Sequence, residues 1–494
     1  MSRSADVATA SRWQGQGMPL TEPLSPLDAT FLELEEADVT AHMHIGGLLV
    51  FDPLPGGGTP TLARLRRHLE RRLDELPRYR QRLSRRTTGG LHWPEWEPDE
   101  QFDIAAHVTR AALPKPGGER ELLAWAADFW SHRLDRGRPL WRIVLLEGLA
   151  GGRWALVTKT HHCLVDGVGS VDAGTILLDA EPRPARRRAA PRTPPVQHPR
   201  PPGALRRLAG LPLTAAGAAV DVVRHPRHAA EGLDSARALV ELLLRDELVA
   251  APSTSLNVPL SEHRRLAVTE VPLGELKAIK RALGGTVNDV VLALATAGLR
   301  DLLIARGETP PAAGLRAMVP VNIRAAAQQV ELGNRITSLF VHLPVSVAEP
   351  RPRYRRVRAE TMRLKASHQA AGSRLLIEMA GMAPPVLHSV LAQSLFATRL
   401  FNVTVTNVPA SASTMYAFGA PLRRIIPLVP LAAEHAVGIA ALSYDDTVCL
   451  CVHADRDAVP DVERIAAGIS AELDALSAVA RKAAAAAERE AALR

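Results

Sequence analysis

Residues Pro182 to Arg207 contain eight prolines, eight arginines and no acidic side chain. Such a run cannot enter an apolar core, because proline removes backbone donors and unpaired guanidinium groups resist burial. It reads as a linker by composition, and it divides the 494-residue chain into two parts. That length alone suggests roughly two or three domains. The expected organisation is therefore an N-terminal lobe over residues 1–181, a basic linker with crossover helices over 182–262, and a C-terminal lobe over 263–494.

Strand and helix patterns alternate on both sides of the linker. Leu62, Leu65, Leu69, Leu73 and Leu76 form a helical stripe after Thr61, ended by Pro77. Trp154 to Thr160 reads as a buried strand, and Val168, Val171, Leu177 and Leu178 as one face of the helix after it. A comparable unit opens at Val271 to Val290, with strands expected at Arg335 to Val345, Phe401 to Val408 and Thr447 to Ala454. In the final helix Val462, Ile465, Ile469, Leu473, Leu476 and Ala480 share a face. Leu208 to Asp246, including Leu239 and Leu242 to Leu244, is expected to cross between the lobes with its apolar side packed.

Chemistry concentrates where the Trp154–Thr160 strand ends, in His161-His162-Cys163-Leu164-Val165-Asp166-Gly167. Successive strand side chains point to opposite faces, so the two histidines do not converge on one ion, and no metal site is expected. One imidazole faces the site and the other faces elsewhere. Asp166-Gly167 is a turn signal, with the carboxylate bracing the turn and Gly167 releasing the chain into the helix. Histidine, with an ordinary pKa of about 6.5, suits proton transfer near neutral pH. A Cys163 thiolate beside a histidine is a candidate acyl carrier, but its place on the turn makes the pairing sterically awkward.

HHCLVDG matches the HHxxxDG signature of CoA-dependent acyltransferases, and the chain resembles the bacterial wax ester synthase/diacylglycerol acyltransferase family over about residues 24 to 475. The resemblance is carried by Ser25-Pro26-Leu27-Asp28 with Phe31-Leu32, by His44-Ile45-Gly46-Gly47 with Phe51-Asp52, and by Pro139-Leu140-Trp141. In the second half it is carried by Val287-Asn288-Asp289-Val290, Val319-Pro320-Val321-Asn322, Leu332-Gly333-Asn334 and Asn407-Val408-Pro409. The last of these usually continues Gly-Pro; here Ala410-Ser411 follows.

The resemblance implies an α/β (α+β) fold of two chloramphenicol-acetyltransferase-like lobes around a central substrate tunnel. It implies His162 as general base, His161 as a positioning residue, and Asp166 as a loop brace paired with an arginine. Arg80, Arg82 and Arg142 lie in segments able to approach it. It further implies direct transfer from a long-chain acyl-CoA, as co-substrate, to diacylglycerol or a long-chain alcohol, with no metal or redox cofactor. Thr404, Thr406 and Asn407 are candidate oxyanion donors. Asn288-Asp289 has two readings: a helix cap, or a functional pair in which Asn288 faces His162 or substrate from the second lobe. Asn288, Asp289, Thr406 and Asn407 together form the candidate substrate-binding set. Pro139-Leu140-Trp141 is expected to be structural.

Composition bounds the remaining choices. A net charge of +8 with only 4% aromatic residues offers few stacking platforms for bases, so no nucleic-acid partner is expected. The basic linker instead suits a solvated connection or peripheral contact with anionic lipid, at a membrane or lipid droplet. Three cysteines give no disulfide framework and suit a reducing, cytoplasmic setting. Met1 to Leu20 lacks a secretory apolar run, and Leu208 to Val223 is too short and interrupted to span a bilayer. Two rivals to the storage-lipid enzyme stand: an acyltransferase for a soluble or carrier-bound acceptor, and a non-catalytic lipid-droplet surface protein.

Overall fold

The computed structural model describes residues 22–84, 93–164, 177–183, 251–322, 336–366 and 400–492. Asp166, Gly167, Val168 and Val171, the linker up to residue 250 and Leu332-Gly333-Asn334 lie outside the described residues. In chain order the principal elements of the first half are α1 (Pro26–Ala37), β1 (His44–Phe51), α2 (Leu62–Glu70), β2 (Val108–Ala112), α3 (Glu119–Trp130), β3 (Trp141–Glu147) and β4 (Trp154–His161). The second half contributes β5 (Arg264–Pro272), α4 (Leu273–Leu283), α5 (Val287–Ala305), β6 (Leu315–Asn322), β7 (Ile336–Leu343) and α6 (Pro350–Ala366). It ends with β8 (Val403–Pro409), β9 (Tyr416–Ala417), β10 (Ala420–Leu428), β11 (Val437–Tyr444), β12 (Thr447–Asp455) and α7 (Glu463–Ala492).

Two six-stranded sheets organise these elements. The first has the order β9-β10-β1-β4-β3-β2 and is antiparallel except for the β3–β2 pair. The second has the order β7-β6-β8-β11-β12-β5, with β8 parallel to both its neighbours. Strands β9 and β10 come from the second half of the chain yet complete the first sheet, so the two sheets are tied by backbone hydrogen bonds as well as by packing. No periodicity reports such an exchange, because alternation gives a strand's faces and not its neighbours.

Side-chain alternation assigns the layers. On β4, Leu156 packs towards α2 with Leu65, Leu69 and Trp141, while Ala155 and Val157 pack towards α3. That second layer also takes Leu266 of β5 and Cys449 and Cys451 of β12, which places the edge of the second sheet against the first. The far face of the second sheet carries α4 to α7; α5 is buried along most of its length because helices flank it on a sheet. All six residues of the expected α7 stripe are buried, as a core-facing stripe should be.

Local chemistry explains several boundaries. Ser25 caps α1, its Oγ accepting from the Asp28 N–H at 3.2 Å, and Pro26 opens the helix. Thr61 caps α2 through the Arg64 N–H. The expected stripe there does not continue as one helix: α2 ends at Glu70, and Leu73–Glu75 and Pro77–Arg80 follow as short 3-10 turns that still bury Leu73 and Leu76. At Gly46, φ is +149° and an added Cβ would lie 2.1 Å from the Thr158 carbonyl oxygen; at Gly47 it would lie 2.5 Å from that of Ile426. Only glycine lets β1 sit this closely between β4 and β10. Among the described residues no single helix is long and apolar enough to cross a membrane.

Candidate active site

The histidine pair sits where β4 ends. His161 is the last residue of that strand, opposite His44 on β1, and its N–H donates to the Leu140 carbonyl at 2.9 Å. His162 begins a short 3-10 turn and donates its N–H to the Met43 carbonyl at 2.8 Å. The two rings diverge, in keeping with the alternation of a strand. Pro139-Leu140-Trp141 supports this end of the sheet: Trp141 is buried, its indole N–H donates to the Tyr79 carbonyl at 2.8 Å, and it stacks on His107.

His161 turns into a buried ionic cluster. Its Nδ1 accepts the Cys163 N–H at 3.1 Å, which leaves the proton on Nε2, and that nitrogen donates to Glu35. Glu35 also accepts from Arg133 Nε at 2.9 Å and lies 3.7 Å from Arg136 and 3.9 Å from His44. Burial pushes the Glu35 carboxyl up. The hydrogen bonds from His161 and Arg133 outweigh this and hold it well below the usual carboxylate range. Close by, the buried Lys159 donates to the Phe129 and His132 carbonyls at 2.5 and 2.7 Å, closing the C-terminal end of α3. Burial and the charge of Arg142 lower its pKa to about 7.

His162 turns the other way. Its ring stacks on Phe31 of α1, with centroids 3.8 Å apart and planes at 20°. Its Nδ1 has no hydrogen-bond partner among the described residues. Burial lowers its pKa to about 4, so at neutral pH it is an uncharged imidazole able to accept a proton. Phe31 itself packs against the apolar core of the second sheet, where Leu34, Ala41 and Met43 are also embedded. The imidazole therefore lies at the seam between the two sheets.

Phe31 and Glu35 are four residues apart and so share one face of α1, from which one side chain serves each histidine. Neither was singled out from the sequence as a site residue. The available signal was Glu35 itself, an acid on an otherwise buried helix face with Leu32 and Leu34, three residues after a segment matched by motif. Cys163 is buried, and burial raises its thiol well above the ordinary value, which argues against an acyl-carrying thiolate. Asp166 and Gly167 lie outside the described residues. Of the arginines considered for Asp166, Arg80 is 3.9 Å from Asp74, Arg82 is 3.0 Å from Glu97, and Arg142 lies over the Phe129 ring.

The second sheet brings together two of the four candidate substrate-binding residues. Asn407, near the end of β8, donates its Nδ2 to Asn288 Oδ1 at 3.4 Å, at the start of α5. Thr406 is half-buried beside Asn407, and its backbone pairs with Ala440; Thr404 is buried. Asp289 has a different environment. Its Oδ2 accepts the Thr286 N–H at 2.7 Å in a capping box, and its Oδ1 accepts the Thr361 hydroxyl at 2.6 Å. Both oxygens are thus occupied by the protein, the cap geometry expected of one of its two readings. A cleft of about 540 Å³ lies at the other end of β1, lined by Val50, Arg424, Tyr444 and Cys449 among others. None of the candidate site residues lines it.

Two sheets of mixed helix and strand, joined by an exchanged strand and carrying a histidine pair at their seam, define an acyltransferase of the chloramphenicol-acetyltransferase-like class. The chain belongs to the wax ester synthase/diacylglycerol acyltransferase family: that family's catalytic-domain model matches residues 24–291, and the WS/DGAT C-terminal domain matches residues 332–477. A Mycobacterium tuberculosis protein named as a diacylglycerol O-acyltransferase is 33% identical over 464 residues, covering 93% of this chain and 96% of its own. The structure is similar to that of the wax ester synthase/diacylglycerol acyltransferase from Marinobacter aquaeolei VT8, with a TM-score of 0.65, 28% identity, and coverage of 93% of this chain and 99% of that one. The starter condensation domain of rhizomide synthetase shares the fold, at a TM-score of 0.57 and 16% identity, over 96% of each chain.

Proposed function

We propose that this enzyme transfers a long-chain acyl group from acyl-CoA to diacylglycerol, giving triacylglycerol, and accepts long-chain alcohols to give wax esters. The observation that carries the mechanism is His162, an uncharged imidazole at the seam of the two sheets, stacked on Phe31 and held in a pKa range that leaves it free to take a proton. His162 removes the acceptor hydroxyl proton as the oxygen attacks the thioester carbonyl. The new C–O bond forms, the tetrahedral intermediate collapses with cleavage of the C–S bond, and the imidazolium returns the proton to the leaving CoA thiolate. Atoms and charge balance without a covalent enzyme intermediate, and acyl-CoA is the sole co-substrate.

His161, bonded to Glu35 and to the Cys163 N–H, fixes the strand end from which His162 projects. Asp166 and Gly167, outside the described residues, keep the bracing role that the family resemblance implies. Asn288, Asn407 and Thr406 line the acceptor side, with Asp289 holding the helix that presents Asn288. A dry passage between the lobes keeps water from hydrolysing the thioester. The enzyme works in the cytoplasm with peripheral contact to a membrane or lipid droplet, where its apolar acceptor resides.

The test is acyl transfer from labelled long-chain acyl-CoA to diacylglycerol and to hexadecanol, with His162→Ala as the control. The variant is expected to lose about a thousandfold in kcat, the usual range for a general base. Equal product from both proteins sinks the mechanism. Transfer confined to a water-soluble acceptor sinks the storage-lipid assignment.

A further inference from the structure

Helix α6 carries seven cations and one acid in seventeen residues. Its buried side is ordinary: Tyr354, Val357, Thr361 and Leu364 face the core, and Arg353 is paired with Glu472 of α7. The opposite side is not. Arg351, Arg355, Arg358, Met362 and Lys365 recur at spacings of three and four and form one ridge, with Arg356 and Arg363 beside it. Met362 is 56% exposed at the middle of that ridge, one of four large apolar side chains so exposed among the described residues.

The acids nearby do not neutralise this face. Glu360 is engaged by Arg363 at 3.0 Å, Glu349 stands before the helix, and Glu275 of α4 accepts from Ser477. Among the described residues Arg351, Arg355, Arg356 and Lys365 have no ion-pair partner. The basic surface continues onto α4, whose C-terminal end is joined to α6 by Arg358 to the Leu283 carbonyl at 3.0 Å and by Tyr354 to that of Gly284 at 2.5 Å. Lys277, Lys280 and Arg281 lie within two turns of that junction.

The position of the ridge gives it a use. Thr361, on its buried side, bonds Asp289, the residue next to Asn288, and so places the ridge about one helix diameter, roughly 10 Å, from the Asn288–Asn407 pair. Val408, 52% exposed, adjoins Asn407. A cationic ridge with a central methionine complements an anionic lipid surface, where cations meet phosphates and the thioether enters the headgroup boundary. We propose that α6, with the end of α4, is the face on which this enzyme sits on an anionic phospholipid surface, which holds the Asn288–Asn407 pair about one helix diameter from the lipid that carries diacylglycerol. The proposal rests on the acceptor assignment above.

The experiment is flotation of the full chain with vesicles of phosphatidylcholine, with or without phosphatidylglycerol, at low and high salt. The variants are Arg351→Ser/Arg355→Ser/Lys365→Ser and a control that removes three exposed cations elsewhere, Arg110→Ser/Arg120→Ser/Arg456→Ser. Each cation near a charged surface strengthens binding about fivefold, so the α6 triple variant is expected to bind phosphatidylglycerol vesicles roughly a hundredfold more weakly. The control should stay within a fewfold of wild type, and salt should weaken the wild type. Equal loss in both triple variants, wild-type binding indifferent to phosphatidylglycerol, or release of the protein by free CoA would each overturn the proposal. Transfer to diacylglycerol in neutral detergent micelles is measured alongside. Unchanged micellar activity in the α6 variant is expected, and a loss of it there would also overturn a docking role; absence of micellar activity in wild type counts instead against the acceptor assignment.

Discussion

The two sides of the chain at residues 161 and 162 are built to opposite specifications. His161 faces Glu35, Arg133, Arg136 and His44, a buried cluster in which ionic partners fix its ring and its tautomer. His162 faces the ring of Phe31 and has an Nδ1 without a described partner. The same side chain is a fixed strut on one side and an uncharged base on the other, because one environment supplies charge and the other withholds it. A histidine pair is thus a division of labour enforced by the two faces of a strand end.

Removing one member from each side should separate the two roles most sharply. Glu35→Ala leaves the His161 Nε2 proton without its buried acceptor and Arg133 without its partner, and an unsatisfied buried donor costs about 1–3 kcal/mol of stability. His162→Ala leaves no buried donor or acceptor unpaired among the described residues and loses chiefly the stack on Phe31, about 0.5–1.5 kcal/mol, even though its turnover collapses. Urea unfolding midpoints and kcat on both variants check the contrast. A Glu35→Ala protein as stable as wild type would show that the ionic side is ornamental.

Acid exposes the same contrast across the molecule. Burial lowers the pKa of His162 to about 4 and, with the charge of Arg264, that of His453 to about 3, against 6.5 for the free side chain. Unfolded chains therefore bind protons that the folded chain refuses. The stability these histidines contribute is complete above pH 6.5 and is lost as pH falls towards their folded values, at up to about 1.4 kcal/mol per pH unit for each. Glu35 has the same sign at lower pH: held below the carboxylate range, it contributes fully above its free value of 4.5 and is lost beneath it. Lys159, at about 7 folded against 10.5 free, extends the rise of stability into alkaline pH. Unfolding midpoints should thus fall steadily from pH 8 to pH 5, and His453→Gln should flatten the slope between pH 6.5 and 5. Parallel slopes in wild type and variant contradict this assignment.

What the sequence disclosed follows the same division. The apolar stripes of α2 and α7, the strand before the histidines and the divergence of His161 and His162 are local properties, written in periods of 3.6 and 2 residues. The Asn288 and Asn407 segments were recognisable as motifs, but that they meet at 3.4 Å depends on how α5 and β8 pack. The insertion of β10 into the first sheet and the reach of Glu35 to His161 across more than a hundred residues are long-range facts, set by the partner a face finds and not by the face itself. Asp289 shows the opposite case: its local reading as a cap accounts for one oxygen, and only the fold supplies Thr361 for the other.

The mildest change tests the apolar side alone. Phe31→Leu keeps the contact with the second sheet apolar while removing the face-on stack at 3.8 Å, a contribution of about 0.5–1.5 kcal/mol. Turnover should drop only severalfold, and the acid limb of kcat/KM should stay well below pH 6.5, because a leucine still excludes water from the imidazole. Phe31→Asn puts a smaller, polar side chain in the same place and admits water, so the pKa of His162 should climb back towards 6.5 and carry the acid limb with it. Comparing the two limbs distinguishes desolvation from stacking as the cause of the depressed value. If Phe31→Leu moves the limb as far as Phe31→Asn does, the aromatic ring itself and not the exclusion of water sets the basicity of His162.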